Sequence, residues 1–269
     1  MQISAVTRRL TCAVVIVGGI LCAGVRLYSA YQARRAESML GEASRVRIGD
    51  SEASVLSLVR RYHGHKWSPS GSTRATLGPR ENWVDLEMYD RALRIYPDYE
   101  YSIEVNPWGF PTFEPSSKAA KALRTVINAI PSGVRSPIGL RDWASFVDVR
   151  IRDGRVSEVE GIVFVEGRSR WLNHSWSLAN ERLRESLPLR PYTIESENVL
   201  MRDGRSRGIC NLITSQASEE QAEAAHSWNA GCIVSLRSCR NICELSPRAY
   251  QYWKNEPGPA AAAWGLTCK

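Results

Sequence analysis

The chain has 269 residues, of which 43% are hydrophobic and 23% are charged, so it belongs to neither the disordered nor the fibrous class. Its net charge is +7, but residues 1–35 contain five arginines and no acid, which leaves only +2 for residues 36–269. A body so close to neutral argues against a nucleic-acid-binding protein, because the basic residues of such proteins gather on the folded domain.

An uncharged and largely apolar run covers residues 10–25 and is flanked by arginines at both ends. As a helix, these sixteen residues would be ~24 Å long at ~1.5 Å per residue. Leu27 and Tyr28 extend the run towards the ~30 Å thickness of the hydrocarbon core of a bilayer. We therefore predict that residues 10–28 form an anchor across the lipid bilayer, after a short tail over residues 1–9.

A cleaved signal peptide has a similar pattern and is the alternative to an anchor. Its cleavage sites are poor here, because Tyr28 occupies a position at which a small residue is needed. Beyond the anchor, the chain has more cysteines than a reducing compartment usually tolerates, which favours a periplasmic, extracytoplasmic location for this part. The disulfide candidates are Cys210, Cys232, Cys239, Cys243 and Cys268.

Residues 29–44 are rich in helix formers and predict a helical stalk that ends near Gly41. A globular domain is expected over residues 45–255, beginning with a short strand at 45–48, a Gly-Asp turn and an amphipathic helix. The helix residues expected to face the core are Val55, Leu58, Val59 and Tyr62. This order of strand, turn and helix resembles the repeating unit of small periplasmic assembly lipoproteins and β-lactamase-inhibitor proteins. The resemblance carries no functional residue over to this chain.

Alternating apolar and polar residues predict most of the remaining domain as strands. These predicted strands cover residues 83–88, 99–105, 146–152, 156–165, 171–178 and 207–214. Asp153-Gly154 predicts a tight hairpin, a change of parity predicts a bulge within 157–161, and Asp203-Gly204 predicts a second hairpin. Helices are expected over 118–130 and from Ser218 to about Trp228, where Gly231 is expected to close the second helix.

These elements predict an α+β fold in which an antiparallel sheet carries helices on one face, preceded by an N-terminal transmembrane helix. Residues 256–269, which are rich in proline and alanine, are expected to form a flexible tail.

Cys232, Cys239 and Cys243 recur at helical spacing, which predicts one inward stripe of a helix. In a continuous helix, the Cα atoms of Cys232 and Cys239 would be ~10 Å apart, beyond the ~7 Å limit of a disulfide, so this pair requires a break in the helix. Zinc held by Cys239, Cys243 and His226 is the alternative. The chain lacks the paired Cys-x-x-Cys motif of structural sites, so we predict neither a metal nor a cofactor.

No short catalytic motif points to an enzyme. The sequence has no nucleophile elbow, zinc-protease motif, phosphate-binding loop or dinucleotide fingerprint. The histidines that could act with a carboxylate in an envelope hydrolase are His63, His65 and His174, and this is the alternative function.

Trp108, Phe110 and Phe113 form an aromatic run suited to stacking on a glycan or a peptide, although such residues also plug the edges of sheets. They are the candidate binding residues. The sequence thus predicts a single-pass membrane protein whose extracytoplasmic domain is a non-enzymatic binding or structural component of the cell envelope. Its expected partners are the bilayer and an envelope protein or glycan, and no nucleic acid.

Overall fold

The computed structural model describes residues 5–67, 98–107, 125, 129–130, 141–167, 171–178, 192–197, 206–213, 217–235 and 237–255. The helices in these ranges are α1 (Ala5–Ala43), α2 (Glu52–Tyr62), α3 (Glu219–His226), α4 (Ala230–Val234), α5 (Ile242–Leu245) and α6 (Pro247–Asn255). The strands are β1 (His65–Trp67), β2 (Tyr99–Val105), β3 (Trp143–Arg152), β4 (Arg155–Glu166), β5 (Trp171–Leu178), β6 (Tyr192–Glu197) and β7 (Ser206–Ile213).

The strands form one sheet in the order β1-β2-β3-β4-β5-β7-β6. Neighbouring strands are antiparallel except β5 and β7, which run parallel. The pair is parallel because β6 lies between β5 and β7 in the chain but takes the outer edge of the sheet, antiparallel to β7. The predicted α+β class is therefore confirmed, and the sheet is antiparallel over β1 to β5 with one parallel pair beyond it.

The hairpin of β3 and β4 follows the predicted turn. Asp153 and Gly154 have φ values of 52° and 68°, the left-handed conformation that two-residue hairpin turns need. Arg150 pairs with Glu158 while Ile151 pairs with Val156, so Ser157 is the extra residue of a bulge inside the predicted range.

Helix α2 also matches its prediction. It ends at Tyr62 because His63 adopts the left-handed conformation and closes the last turn with its backbone N–H. All four residues expected to face the core are buried: Val55, Leu58, Val59 and Tyr62. The preceding segment, 45–48, is a turn rather than the predicted strand, because the N–H of Arg47 bonds the carboxylate of Asp50 at 2.8 Å and bends the backbone.

Helix α1 runs without a break through the predicted anchor, the predicted stalk and Gly41. Its C-terminal part packs on the sheet, where the residues spaced at three and four positions are buried: Ala33, Ala36, Met39, Leu40 and Ala43. Its N-terminal part is apolar and exposed, and the helix from Thr11 to Ala43 contains an apolar stretch of 18 residues that packs against nothing in the described parts of the chain. Length and composition thus suffice to cross a membrane, and a signal sequence would pass the same test.

The main core lies between α1, α2, the C-terminal helices and one face of the sheet. The sheet contributes alternate residues such as Val147, Val149 and Ile151. Trp176 on β5 lies flat over Gly161 on β4, where a Cβ atom would overlap the indole ring, so only glycine fits at that position. Gly161 pairs directly with Trp176 across the two strands, and its missing side chain leaves the space that the fully buried indole fills.

The C-terminal helices depart from their predictions. The capping box between Ser218 and Gln221 begins α3 as expected, but α3 ends at His226, and Gly231 lies inside the separate helix α4. Four predictions lie outside the described residues: the strand at 83–88, most of the helix at 118–130, the hairpin at 203–204 and the tail at 256–269.

Candidate functional site

The face of the sheet opposite the main core carries a cluster of charged residues, which we call the outer-face cluster. It consists of His65, Glu100, Ser102, Glu104, Asp148, Arg150, Glu158 and Glu160. Strand register brings them together, because His65 pairs with Ser102, Ser102 with Asp148, and Asp148 with Glu160 in one row across four strands. The next row joins Glu100, Arg150 and Glu158.

Arg150 is the cation at the centre of this cluster. Its guanidinium lies 2.6 Å from Glu158, 3.5 Å from Glu100 and 3.8 Å from Glu160. Burial lowers the pKa of Arg150, but the three carboxylates outweigh that effect and raise it overall. One guanidinium therefore compensates three acids, which leaves the cluster with an excess of negative charge.

Burial also shifts the carboxyl groups around Arg150. It raises the pKa of Asp148, although a hydrogen bond from Ser102 and the charges of Arg150 and His65 oppose the shift. It raises the pKa of Glu104, against the opposing hydrogen bond that Asn106 donates at 2.7 Å. Carboxyl groups with raised pKa values can act as general acids, so the outer-face cluster is suited to proton transfer.

The alternative function, an envelope hydrolase, needs a histidine beside a carboxylate, and His65 has such neighbours. This residue is exposed on the short strand β1, and its charge acts on both Glu104 and Asp148. No hydrogen bond joins Ser102 to His65 among the described side chains, and Ser102 instead lowers the pKa of Asp148. The row therefore shows no nucleophile–base pair. His63 is exposed at the end of α2 and is not brought into the cluster.

His174 occupies a different environment, inside the main core. It is 0% exposed, and its Nδ1 lies 2.7 Å from the hydroxyl of Ser246, which is also 0% exposed. Burial lowers its pKa to about 4, and the other groups that act on it are the backbone of Ala225 and the side chain of His226. A neutral histidine bonded to a buried serine and remote from solvent is a structural contact, so the structure does not support His174 as a hydrolase residue.

His226, which is half-buried, lies beside this group. Its ring meets the indole of Trp176 edge-on with centroids 4.5 Å apart, and burial, followed by the charge of Arg47, lowers its pKa to about 4. Two histidines with lowered pKa values, one buried and one half-buried, thus lie near Trp176.

The cysteine prediction needs correction. Cys232 and Cys239 form a disulfide with Cα atoms 4.9 Å apart. The predicted continuous helix is interrupted, because α4 ends at an extended Ser235 and Ser238 takes a left-handed φ of 64°. Cys243 is also disulfide-bonded, so the thiols of the alternative zinc site are not available as ligands. Within the described ranges, no group of three or more potential ligands is placed to hold a metal.

The disulfide closes the loop of residues 232–239, which we call the disulfide loop. The buried Arg141, just before β3, donates hydrogen bonds to the carbonyls of Ile233 at 2.8 Å and Ser235 at 3.0 Å. Ser238 donates to the carbonyl of Glu166 at the end of β4. The loop is therefore fixed across the end of the sheet opposite the Asp153-Gly154 hairpin.

The aromatic candidates Trp108, Phe110 and Phe113 lie outside the described residues, as do Cys268 and the side chain of Cys210. Comparisons were made with models of protein families, with curated proteins and with solved structures. None of the three gave a match.

Proposed function

We propose that this chain is a single-pass membrane protein whose α1 crosses the bilayer with residues 10–28 and holds an extracytoplasmic domain at the surface. The domain would be a non-enzymatic binding or structural component of the cell envelope. The observation that carries the proposal is the division of α1 into two parts. Its N-terminal part is apolar and exposed, with Ile16 and Ile20 61% and 66% accessible, whereas its C-terminal part is buried in the domain core. Exposed apolar surface of this extent is typical of a segment surrounded by lipid.

The disulfides support the extracytoplasmic location. Cys232, Cys239 and Cys243 are all bonded, whereas the free thiols among the described side chains are those of Cys12 and Cys22 in the apolar part of α1. Disulfides persist in oxidising compartments and are rare in the cytosol. The domain side of the helix is thus the side expected to face away from the cytoplasm.

Alkaline carbonate extraction of membranes that contain the full chain tests the anchor. We expect the protein to stay in the pellet with an intact mass of 30.1 kDa, which also excludes cleavage of a signal peptide. Replacing Ile16 and Ile20 together by arginine should release it, because each arginine near the centre of a span costs about 3 kcal/mol. Ile48→Arg, at an apolar residue that is 40% exposed on the domain, is the matched control and should stay in the pellet. Release of the unmodified chain would refute the anchor.

Protease accessibility tests the orientation. Protease added from the extracytoplasmic side should digest the domain and leave a fragment that contains the apolar part of α1. A domain that is degraded only after the inner membrane is disrupted would contradict the proposed orientation.

An envelope hydrolase at the outer-face cluster is the second candidate function, because His65 lies beside two carboxyl groups with raised pKa values. Purified full chain would be incubated with cell-wall glycan and with envelope peptides, and cleavage products measured by mass spectrometry. Cleavage that is lost in Asp148→Asn and kept in Asp153→Asn, at an exposed turn residue, would favour this candidate. Absence of cleavage by the unmodified chain favours the non-enzymatic proposal.

A further inference from the structure

The height of the domain above the bilayer follows from α1, and this inference rests on the proposed function. The span is expected to end at Tyr28, and Ser29, the next residue, is already buried against the domain. Gln32 and Ala33, less than two turns further on, are buried as well. No linker separates anchor from domain, so the near end of the domain lies within the headgroup layer, which is roughly 5–8 Å thick on each side.

The disulfide loop lies at this near end. Helix α4, which begins the loop, packs against α1. The loop crosses one end of the sheet, and the hairpin at the opposite end bonds residues 49–52, which follow the C-terminal end of α1. Arg141, which donates hydrogen bonds to the loop, lies close enough to Arg26 of α1 for the two charges to interact. Arg26 lies two residues before the end of the span. Burial lowers the pKa of Arg141, Glu166 opposes the shift, and the charge of Arg26 adds to it.

The loop presents a cation at this position. Arg237 is exposed, and no acidic partner for it occurs among the described side chains. Arg61 is paired with Glu42 at 2.7 Å and Arg240 is paired with Glu244. Arg34, Arg45 and Arg60 are also exposed without an acidic partner among the described side chains, but they do not lie on the disulfide loop. The backbone that carries Arg237 is held by the disulfide, by Arg141 and by Ser238, so its position relative to the bilayer is fixed.

We propose that the disulfide loop rests on the bilayer surface and binds the phosphate of anionic phospholipid headgroups through Arg237, next to Arg26. An arginine is suited to this contact because its guanidinium forms paired hydrogen bonds with phosphate oxygens. A fixed loop loses little conformational entropy on binding, so a single cation at the right height suffices to favour anionic lipid.

Amide hydrogen exchange of the full chain in lipid nanodiscs tests the proposal. One set of nanodiscs contains phosphatidylcholine alone, and the other contains equal parts of phosphatidylcholine and phosphatidylglycerol. We expect exchange of the amides in residues 232–239 to be about fivefold slower with phosphatidylglycerol, which corresponds to the contribution of one basic residue at an anionic surface. Arg237→Glu should abolish the difference. Arg45→Glu, at an exposed arginine beyond the far end of α1, is the matched control and should keep it.

Equal exchange in the two lipid mixtures for the unmodified chain would overturn the proposal, as would an unchanged difference in Arg237→Glu. Inorganic phosphate added to the phosphatidylcholine nanodiscs should not slow exchange of the loop, and slowing there would show that the site takes free phosphate instead. Each of these failures occurs with the protein still embedded in nanodiscs. Failure of the anchor itself would be seen earlier, as release from membranes by carbonate.

Discussion

Acidification should destabilise the domain through His174, and His174→Asn should remove that effect. In the folded protein, burial holds the pKa of His174 at about 4, whereas an unfolded histidine has a pKa near 6.5. Above pH ~6.5 His174 is neutral in both the folded and the unfolded state, so it does not make the free energy of unfolding depend on pH. Between pH ~6.5 and 4 only the unfolded state binds it, so stability falls as the pH falls. The difference of roughly 2.5 pKa units corresponds to about 3 kcal/mol lost by pH 4.

The carboxyl groups of the outer-face cluster titrate in the opposite sense. Burial raises the pKa of Asp148, Glu104 and Glu100, so the folded state retains their protons more strongly and gains stability as the pH falls through their raised pKa values. The unmodified chain therefore gives a sum of opposing effects. Only the difference between the unmodified chain and a variant isolates His174.

The assay is chemical denaturation of the full chain in detergent micelles at pH 7, 6, 5 and 4. Asparagine keeps a polar group that can reach Ser246, so His174→Asn should lower the free energy of unfolding at pH 7 by about 1–2 kcal/mol through lost packing. At pH 4 the free energy of unfolding of the variant should equal or exceed that of the unmodified chain, because the variant has no buried imidazole whose protonation favours the unfolded state. His63→Asn, at an exposed histidine, should give a curve parallel to the unmodified chain. Parallel curves for His174→Asn would refute the reasoning.

Three other substitutions test the packing, the charge network and the disulfide. Gly161→Ala should lower the free energy of unfolding by about 1–3 kcal/mol, because its methyl group would overlap the buried indole on β5. Gly41→Ala, in α1 with no atom within 4 Å of its Cβ, should instead leave stability unchanged or raise it by up to about 1 kcal/mol. Arg150→Met should cost about 1–2 kcal/mol at pH 7 and less at pH 4, where protonated acids no longer repel, as denaturation at both pH values would reveal. Replacing Cys232 and Cys239 together by serine should lower the melting temperature and cost about 2 kcal/mol, and an unchanged melting temperature would argue that the disulfide is absent from the native protein.

Local patterns predicted the parts of the fold that depend on local chemistry. Alternation over 146–152 and the Asp153-Gly154 turn identify β3 and β4, because a strand has a side-chain period of two and the turn needs left-handed backbone. The strand β6, Tyr192–Glu197, is not among the predicted strands, because its alternation is short: Tyr192 and Ile194 are its apolar residues, and Glu195 and Glu197 follow. The parallel pairing of β5 with β7 depends on where β6 lies, which no local pattern encodes.

The candidate site was not predictable for the same reason. In the sequence, Glu158 and Glu160 have the spacing of a solvated strand face. Their interaction with Arg150 and Glu100 requires the registers of three strands at once. The prediction of one continuous helix through the cysteines was wrong for a different reason. Helical spacing takes no account of the left-handed backbone at Ser238, which brings Cys232 and Cys239 together.

The unbroken path of α1 from the apolar segment into the core also sets the direction in which the domain faces. With ~3.6 residues per turn, one residue inserted just before Ser29 would rotate the whole domain by about 100° around the helix axis and lift it by ~1.5 Å. In the proposed arrangement, the side of the domain that meets a neighbouring membrane protein is therefore determined by the number of residues in one helix. A change in length of that helix would alter which neighbours the domain can reach without changing any residue on its surface.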